Sequence, residues 1–381
     1  MKIALVGCGA VGSFYGGKLS RDGRDVHFLL RSDYEVVRSR GVTIHSPQGD
    51  FNARPKCARE PGQIGVADLV IIALKTTAND QFPKLLPPLV GPHTALLTLQ
   101  NGLGNEEQLA TLFKPEQILG GLCFVCLNRT APGVIRHFDH GRIVLGEFGR
   151  WPEPRTHDLR TMFQRAGVPC DVTDDLACAH WEKLVWNIPF NGLGVASCAG
   201  LEAFTSGRAH PDTAPQLSPS PRDGGAERGP GRGATTAAIG PPLPSPLLPQ
   251  REERESVGAA SRFAPRERTI GKRGPCLTTD QLLADPAWHQ IVRELMFEIV
   301  HTAQCLGLKL GESVVDEQLG RTLSMGPYKA STLIDFEHGQ PLEMESLFLE
   351  PLRQARRAGV ATPRLQSLCS VLAALAPRPF G

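Results

Sequence analysis

Three polar side chains recur every four residues in an otherwise apolar stretch of the chain. Lys183, Asn187 and Asn191 lie in Trp-Glu-Lys-Leu-Val-Trp-Asn-Ile-Pro-Phe-Asn, residues 181–191. This spacing places them on one face of a helix, and the large apolar residues between them predict that the helix packs into the protein. A lysine there can donate a proton or stabilise a developing negative charge, and the amides can orient a polar ligand. The alternative is a solvated polar face.

A glycine-rich turn near the start of the chain predicts a dinucleotide site. It follows a short apolar strand predicted over residues 2–6 and consists of Gly7, Cys8, Gly9, Ala10, Val11 and Gly12. In a GxGxxG motif, the first glycine permits a tight turn, the second lets the backbone approach a pyrophosphate, and the third lets the helix pack on the strand. The helix that follows presents amide donors to the phosphates. We assign all six residues to cofactor binding.

The residues after the second predicted strand indicate which pyridine nucleotide is used. This strand covers residues 25–30, and Arg31 and Ser32 follow it, where an NAD site normally has an acidic residue for the ribose hydroxyls. A guanidinium at this place suits a 2′-phosphate, so the sequence favours NADPH. Asp33 lies close enough to keep NADH as the alternative.

Two further polar residues follow strands predicted to be buried. Lys75 comes after the strand predicted over 68–74, and Asn101 after the strand predicted over 94–99. Ligands of open α/β sheets bind beyond the carboxyl ends of the strands. Lys75 is therefore a candidate contact to phosphate or ribose, and Asn101 to the nicotinamide end. The alternatives are an exposed loop lysine and an amide that caps its own loop.

The elements that must position these residues form two domains and an intervening segment. Strand-like and helix-like segments alternate over residues 1–170, which predicts an α/β domain with a mostly parallel sheet. Helical periodicity in 175–206 and 276–378 predicts an all-helical second domain. Residues 207–275 hold 12 of the 32 prolines and are rich in glycine, a composition typical of a disordered insertion. A proline-rich recognition segment is the alternative there.

The periodicity of the second domain predicts individual helices. They cover residues 176–190, 278–306, 313–319, 342–358 and 363–376. Thr278 or Thr279 is the expected N-cap of the second of them. Pro189 is expected to bend the first between its two amides.

Composition narrows the class of function. A formal net charge of +2, from 41 basic and 39 acidic residues, gives no support for nucleic-acid binding. We find neither an apolar run of membrane-spanning length nor a signal-peptide pattern, so we expect a cytoplasmic protein without a membrane partner. The CxxC of Cys123 and Cys126 lies in a predicted strand, where positions three apart face opposite sides, so we expect no metal site.

Together these motifs resemble those of the ketopantoate reductase (2-dehydropantoate 2-reductase) family. The resemblance rests on Gly-Cys-Gly-Ala-Val-Gly at 7–12, Leu-Lys-Thr at 74–76, Leu-Gln-Asn-Gly-Leu-Gly-Asn-Glu at 99–106, Glu-Lys-Leu-Val-Trp-Asn-Ile-Pro-Phe-Asn at 182–191, Ser-Thr-Leu at 331–333 and Pro-Leu-Glu-Met-Glu at 341–345. It implies an N-terminal Rossmann domain, a helical C-terminal domain like that of 6-phosphogluconate dehydrogenase, and an active site in the cleft between them.

The resemblance also implies roles for individual residues. Lys183 resembles the family's general acid. The substrate-binding positions fall on Asn101, Asn187, Asn191 and Ser331. Glu343 resembles an acidic residue that lines the same site; we group it with Lys75 among the cofactor contacts, and a contact to substrate or to Lys183 stays open. Leu201 stands where some members have a further substrate-binding asparagine.

The implied activity is the reduction of 2-dehydropantoate, a small 2-oxo acid, by NADPH to (R)-pantoate in pantothenate and coenzyme A synthesis, carried out by a monomer or homodimer. One alternative is a reductase of the same fold that acts on another 2-oxo acid or an imine. The other is an NADPH-binding sensor without turnover.

Overall fold

The computed structural model describes residues 1–205 and 274–376. The predicted insertion at 207–275 therefore lies outside the described residues except for Gly274 and Pro275. Residue 206 and residues 377–378, which we assigned to the helical domain, lie outside them too. No helix in the described ranges is both long and apolar enough to cross a membrane.

A ten-stranded sheet forms the N-terminal part of the described chain. Its strands are β1 (Lys2–Val6), β2 (Asp25–Leu29), β3 (Val42–His45), β4 (Phe51–Ala53), β5 (Lys56–Ala58), β6 (Leu69–Ile72), β7 (Ala95–Thr98), β8 (Ile118–Ala131), β9 (Val134–Glu147) and β10 (Cys170–Val172). They are ordered β4-β3-β9-β8-β7-β6-β1-β2-β5, with β10 beside β9. The run from β5 through β2, β1, β6 and β7 to β8 is parallel throughout, in the strand order of Rossmann dinucleotide-binding sheets.

The helices of the described ranges fall into two groups. Those that accompany the sheet are α1 (Ala10–Arg21), α2 (Tyr34–Arg40), α3 (Pro61–Ile64), α4 (Phe82–Leu85), α5 (Asn105–Ala110) and α6 (Pro154–Arg165). Those of the second group are α7 (Leu176–Ala196), α8 (Leu201–Thr205), α9 (Thr279–Ala284), α10 (Pro286–Cys305), α11 (Ser313–Leu323), α12 (Ser331–Glu337), α13 (Glu350–Arg357) and α14 (Pro363–Leu375). A π-helical segment, Glu345–Leu349, leads into α13.

Burial explains why these segments form. All four residues of β6 are buried, as expected for a parallel strand with both faces covered. The sheet has one apolar core on each face, and the helical part has a third. Helix α7 lies at the centre of the helical part, against α10, α12 and α14, and every residue from Asn187 to Ala196 is buried. The stripe of polar residues on α7 is therefore not a solvated face.

The single helix predicted over 278–306 is wrong, because two helices occupy this stretch. Asp285 separates α9 from α10 in an extended conformation, and its carboxylate accepts hydrogen bonds from the first amides of α10. Pro286 then starts α10, since proline has no amide with which to continue α9. Thr278 caps α9, where it forms a capping box, and not the helix that contains Trp288.

Several short elements have no clear signal in the sequence. These are β3, β4, β5, α2 and α12, each of seven residues or fewer. The helix predicted over 342–358 also begins later than predicted, at the π-helical turn, so Glu343 lies in the preceding loop. In that loop, Glu343 contacts the segment that follows β6, because its carboxylate accepts a hydrogen bond from the amide of Thr76.

Candidate active site

The glycine-rich turn joins β1 to α1 at the carboxyl edge of the sheet. Gly7 has a φ of +99°, and a Cβ there would lie 2.3 Å from the backbone nitrogen of Leu74, so only glycine fits. A Cβ at Gly12 would lie 2.2 Å from the carbonyl oxygen of Gly7. Gly9 has nothing within 4 Å of its own Cβ position. The turn is therefore tight on its inner side and open where a pyrophosphate would approach.

The start of α1 suits an anion. The helix begins at Ala10, and no acidic side chain lies in its first turn, so the amides of that turn are available to phosphate oxygens. Cys8 contributes only its backbone, because its Sγ points inward to the carbonyl oxygen of Leu29 at 3.4 Å. Burial raises the pKa of the Cys8 thiol well above its ordinary value. These residues fit a bound dinucleotide.

Two charged residues follow β2, of which Arg31 is exposed and Asp33 is buried. Arg31 is exposed and makes no side-chain hydrogen bond or ion pair with another described residue. Asp33 is buried, and Arg129 and the amide of Gly133 bind its carboxylate. Arg31 is thus the available charge at the place where the second ribose of a dinucleotide binds in this fold.

Lys183 reaches from α7 to the loop that follows β7. Its Nζ donates a hydrogen bond to Oδ1 of Asn101 at 2.8 Å and lies 5.5 Å from the centroid of the Phe124 ring. Burial lowers the pKa of Lys183, an effect that Cys123 and Glu343 partly oppose. An ammonium group with a lowered pKa gives up its proton more readily near neutral pH, which suits a general acid.

A chain of amide side chains fixes the position of Asn101. Gln100 Nε2 donates to the carbonyl oxygen of Leu74 at 3.0 Å and to Oδ1 of Asn79 at 2.7 Å. Asn79 Nδ2 donates to Oδ1 of Asn105 at 3.0 Å, and Asn105 Nδ2 donates to the carbonyl oxygen of Asn101 at 3.1 Å. The loops after β6 and β7 are therefore joined to each other, and the partner of Lys183 has a fixed place.

Ser346, in the π-helical segment, contacts both of these loops. Its carbonyl oxygen accepts a hydrogen bond from the amide of Leu103 at 2.9 Å, and its hydroxyl lies 2.9 Å from that of Thr76. Gly102, with a φ of +84°, allows this approach, since a Cβ there would lie 2.4 Å from the Ser346 carbonyl oxygen. No pattern in the sequence indicates a role for Ser346, although it lies three residues after Glu343.

Glu343 and Lys75 meet across the same junction. Glu343 is 5% exposed, and its Oε1 accepts a hydrogen bond from the backbone amide of Thr76 at 2.8 Å. Lys75 Nζ lies 3.7 Å from the other carboxylate oxygen of Glu343 and forms an ion pair with Asp335. Burial alone would lower the pKa of Lys75, but the two carboxylates raise it overall. Asp335 is a second residue that the sequence analysis missed, one helical turn beyond Ser331 on α12.

The two asparagines of α7 have different surroundings. Asn191 Oδ1 accepts hydrogen bonds from the hydroxyl of Ser331 at 3.2 Å and the backbone amide of Thr332 at 3.1 Å, so Asn191 holds the start of α12. Asn187 is 7% exposed and makes no side-chain hydrogen bond to another described residue. Buried amides normally have partners, so Asn187 is available to bind a ligand, and Asn191 can still donate from Nδ2.

A buried pair one turn before Lys183 also fixes α7 on the sheet domain. His180 Nε2 lies 3.1 Å from Oε1 of Glu106, and both side chains are buried. Glu106 lies on α5, directly after the loop that contains Asn101, so this contact and the one between Lys183 and Asn101 both join α7 to the segment that follows β7. No pattern in the sequence predicts this pair, whose residues are 74 positions apart.

The structure thus brings most of the predicted site residues together. The pairs that it forms are Lys183 with Asn101, Lys75 with Glu343, and Asn191 with Ser331. Arg31 lies apart from them, beyond β2. A Rossmann sheet with an open glycine-rich turn, accompanied by a half-buried lysine on a helical domain, is the architecture of a pyridine-nucleotide-dependent oxidoreductase.

Comparison with known proteins places the chain within that class. The family model described as ketopantoate reductase PanE/ApbA matches residues 3–150, and the model of its C-terminal domain matches residues 276–376. A 2-dehydropantoate 2-reductase from Nostoc sp. is 33% identical over 377 residues, which covers 96% of this chain and 92% of that protein. The chain belongs to the ketopantoate reductase family, as its motifs predict.

Solved structures agree with this assignment. A 2-dehydropantoate 2-reductase from Geobacter metallireducens is 37% identical, with a TM-score of 0.75, over 98% of this chain and 99% of that chain. D-mandelate dehydrogenase, solved with NADH and anilino(oxo)acetate, has a TM-score of 0.71 at 17% identity over 99% of this chain and 98% of that chain, a likeness that shows the fold alone. The predicted Rossmann domain followed by a helical domain is confirmed.

Replacing Glu343 by glutamine is expected to move the alkaline limit of kcat to lower pH. The carboxylate of Glu343 opposes the lowering of the Lys183 pKa, so loss of this charge makes Lys183 lose its proton at lower pH. This moves the limit of kcat because Lys183, as the predicted general acid, must be protonated to act. The pH profile of kcat measures this shift. Glu345→Gln is the matched control, because Glu345 is exposed and paired with Arg353. An unchanged profile for Glu343→Gln would refute the electrostatic link.

Proposed function

We propose that the protein catalyses the reduction of 2-dehydropantoate (ketopantoate) by NADPH to (R)-pantoate. The observation that carries the proposal is the hydrogen bond from Lys183 to Asn101 at the carboxyl edge of the sheet. A half-buried lysine at that edge supports the proposal, because ligands of this fold bind there. The relatives named above carry the same activity in their names.

Lys183 is the proposed general acid. A bound nicotinamide cofactor supplies the hydride, which adds to C2 of the oxo acid. As negative charge develops on the carbonyl oxygen, the Lys183 ammonium donates a hydrogen bond and then its proton to that oxygen, and the alcohol results. The neutral amine takes its next proton from solvent. Asn101 orients the ammonium throughout, because its Oδ1 accepts from Nζ.

The remaining site residues are proposed to bind and orient the substrate. Ketopantoate carries a carboxylate and a terminal hydroxyl, and both can accept hydrogen bonds from neutral donors. Asn187 makes no side-chain hydrogen bond to another described residue, and the Ser331 hydroxyl, which donates to Asn191, can still accept a hydrogen bond from the terminal hydroxyl of the substrate. Glu343 remains a predicted cofactor contact, although one of its oxygens already accepts from Thr76.

NADPH is the proposed reductant. Arg31 is exposed beyond β2 and has no partner among the described residues, and the nearby carboxylate of Asp33 is buried against Arg129. A guanidinium that is free to form charge-assisted hydrogen bonds suits a 2′-phosphate. The cytoplasmic location, the monomeric or homodimeric state and the domain limits 1–170, 175–206 and 276–378 stay predictions.

An assay with two matched substrates tests the proposed function. NADPH oxidation by the full chain is followed with ketopantoate and with 3,3-dimethyl-2-oxobutanoate, which lacks only the terminal hydroxyl. We expect kcat/KM to be at least about tenfold higher for ketopantoate, because a buried donor left without its hydroxyl partner is unfavourable. Similar values would favour a broader 2-oxo acid reductase. No oxidation with either compound would indicate a binding protein without turnover.

A further inference from the structure

The carboxylate of Asp33 has no free hydrogen-bonding position. Its side chain is 8% exposed. Oδ2 accepts hydrogen bonds from Nε of Arg129 at 2.9 Å and from the amide of Gly133 at 3.0 Å. Oδ1 accepts from the hydroxyl of Ser32 at 2.9 Å and from a second nitrogen of Arg129. An ionised carboxylate offers about four acceptor positions, so all are in use.

The same contacts keep Asp33 ionised. Burial alone would raise the pKa of Asp33, but the hydrogen bonds from Arg129, Gly133 and Ser32 hold it below its ordinary value. The carboxylate and the guanidinium therefore form a compensated pair near neutral pH. Such a pair adds little net charge to the region beyond β2, where Arg31 lies.

The fold holds Arg129 in this position from a distant part of the chain. Arg129 is 96 residues from Asp33, near the end of β8, and Gly133 forms the turn from β8 into β9 with a φ of +67°. The Gly133 carbonyl oxygen also accepts a hydrogen bond from the amide of Thr43 at the start of β3. The turn between β8 and β9 is thus fixed beside the N-terminus of α2, where Asp33 lies.

We propose that Arg129 is a positioning residue for cofactor specificity: by binding Asp33, it withdraws the carboxylate that would otherwise accept from the ribose hydroxyls of NADH and repel the 2′-phosphate of NADPH. The inference rests on the NADPH preference proposed above. It explains how a chain with an acidic residue just beyond β2 can retain that preference. Arg31 binds the phosphate in this account, and Arg129 acts through Asp33.

Affinities for both nucleotides in a double-mutant cycle test the inference. Kd values for NADPH and NADH are measured by titration calorimetry for the full chain and for Arg129→Met, Asp33→Asn and the double variant. We expect Arg129→Met to raise the Kd of NADPH about tenfold or more, since it leaves an unpaired carboxylate near the 2′-phosphate. The Kd of NADH should stay the same or fall, because the carboxylate can then accept from the ribose hydroxyls. The double variant should bind NADPH within about threefold of the unaltered protein, because no carboxylate remains.

The ratio of the Kd values for NADH and NADPH distinguishes a change in cofactor specificity from a loss of stability. A variant that is merely less stable binds both nucleotides less well, so its ratio does not change. Arg293→Met is the matched control, because Arg293 pairs with an aspartate, Asp316, in the helical part of the chain. If Arg129→Met does not fold, Arg129→Lys keeps the charge but not the two-point contact, and we expect it to lower the NADPH preference by about threefold or more.

Two results would overturn the inference. One is an unchanged affinity ratio in both Arg129→Met and Arg129→Lys. The other is a double variant that binds NADPH as weakly as Arg129→Met, because Arg129 would then contact the phosphate itself. A preference of the unaltered protein for NADH would instead contradict the proposed cofactor. The failure of the inference and the failure of the proposed function are therefore distinguishable.

Discussion

Replacing Lys183 by methionine is expected to lower kcat with ketopantoate by about 10²- to 10⁴-fold, the usual effect of removing a positioned acid catalyst. Methionine keeps the length of the side chain and removes the ammonium, so the packing of α7 should persist. Lys183 contacts Asn101 in the loop after β7, whereas the glycine-rich turn that we propose binds the phosphates follows β1, so the Kd of NADPH should change little. Steady-state kinetics and a separate NADPH titration measure the two effects.

The pH dependence tests the role of Lys183 independently. Burial lowers its pKa, and the acid must carry its proton, so kcat of the unaltered enzyme should fall on the alkaline side at a pH below the ordinary lysine pKa of about 10.4. This limb should vanish in Lys183→Met. Lys84→Met, at an exposed position on α4, is the control and should keep both rate and profile. Near-normal turnover by Lys183→Met would exclude the lysine as the acid.

Replacing Arg31 by alanine is expected to weaken NADPH binding by about 10- to 100-fold, the scale of lost hydrogen bonds to a charged group. NADH lacks the 2′-phosphate, so its affinity should stay nearly constant. The side chain is exposed and has no partner among the described residues, so its removal should leave the fold intact. The Kd values of both nucleotides measure the change.

The chain contains a matched control for Arg31. Arg24 precedes β2, whereas Arg31 follows it, so the two arginines lie at opposite ends of one strand. Arg24 forms an ion pair with Asp22. Arg24→Ala should therefore leave both nucleotide affinities unchanged. Equal losses of NADPH and NADH affinity in Arg31→Ala would refute a role at the 2′-phosphate.

Local patterns in the sequence predict much of the fold and site. The glycine-rich turn is predicted because the spacing of its three glycines reflects local steric limits. The structure shows these limits at Gly7 and Gly12, where a Cβ would clash with the backbone. The polar face of α7 is predicted because helical spacing alone aligns Lys183 with Asn187. Both features depend on residues that are neighbours along the chain, so a single sequence is enough to find them.

The parts that were missed depend on contacts between distant segments. The hydrogen bond between Asn191 and Ser331, which are 140 residues apart, has no local signal in the sequence, and the substrate-binding role of Asn191 stays a prediction. Asp33 was kept as a possible contact to the ribose of NADH, because nothing local in the sequence shows that Arg129, 96 residues away on β8, binds its carboxylate. Ser346 was missed because only the folded loops bring it to Thr76. Short strands such as β4 and β5, of three residues each, carry too little pattern to be predicted.

The most direct test of the account is the steady-state kcat/KM of the full chain for ketopantoate, measured with NADPH and with NADH and with the product identified. We expect one pantoate formed for each NADPH oxidised, and a kcat/KM with NADPH at least about tenfold above that with NADH. The absence of ketopantoate-dependent oxidation of either nucleotide would contradict the central claim.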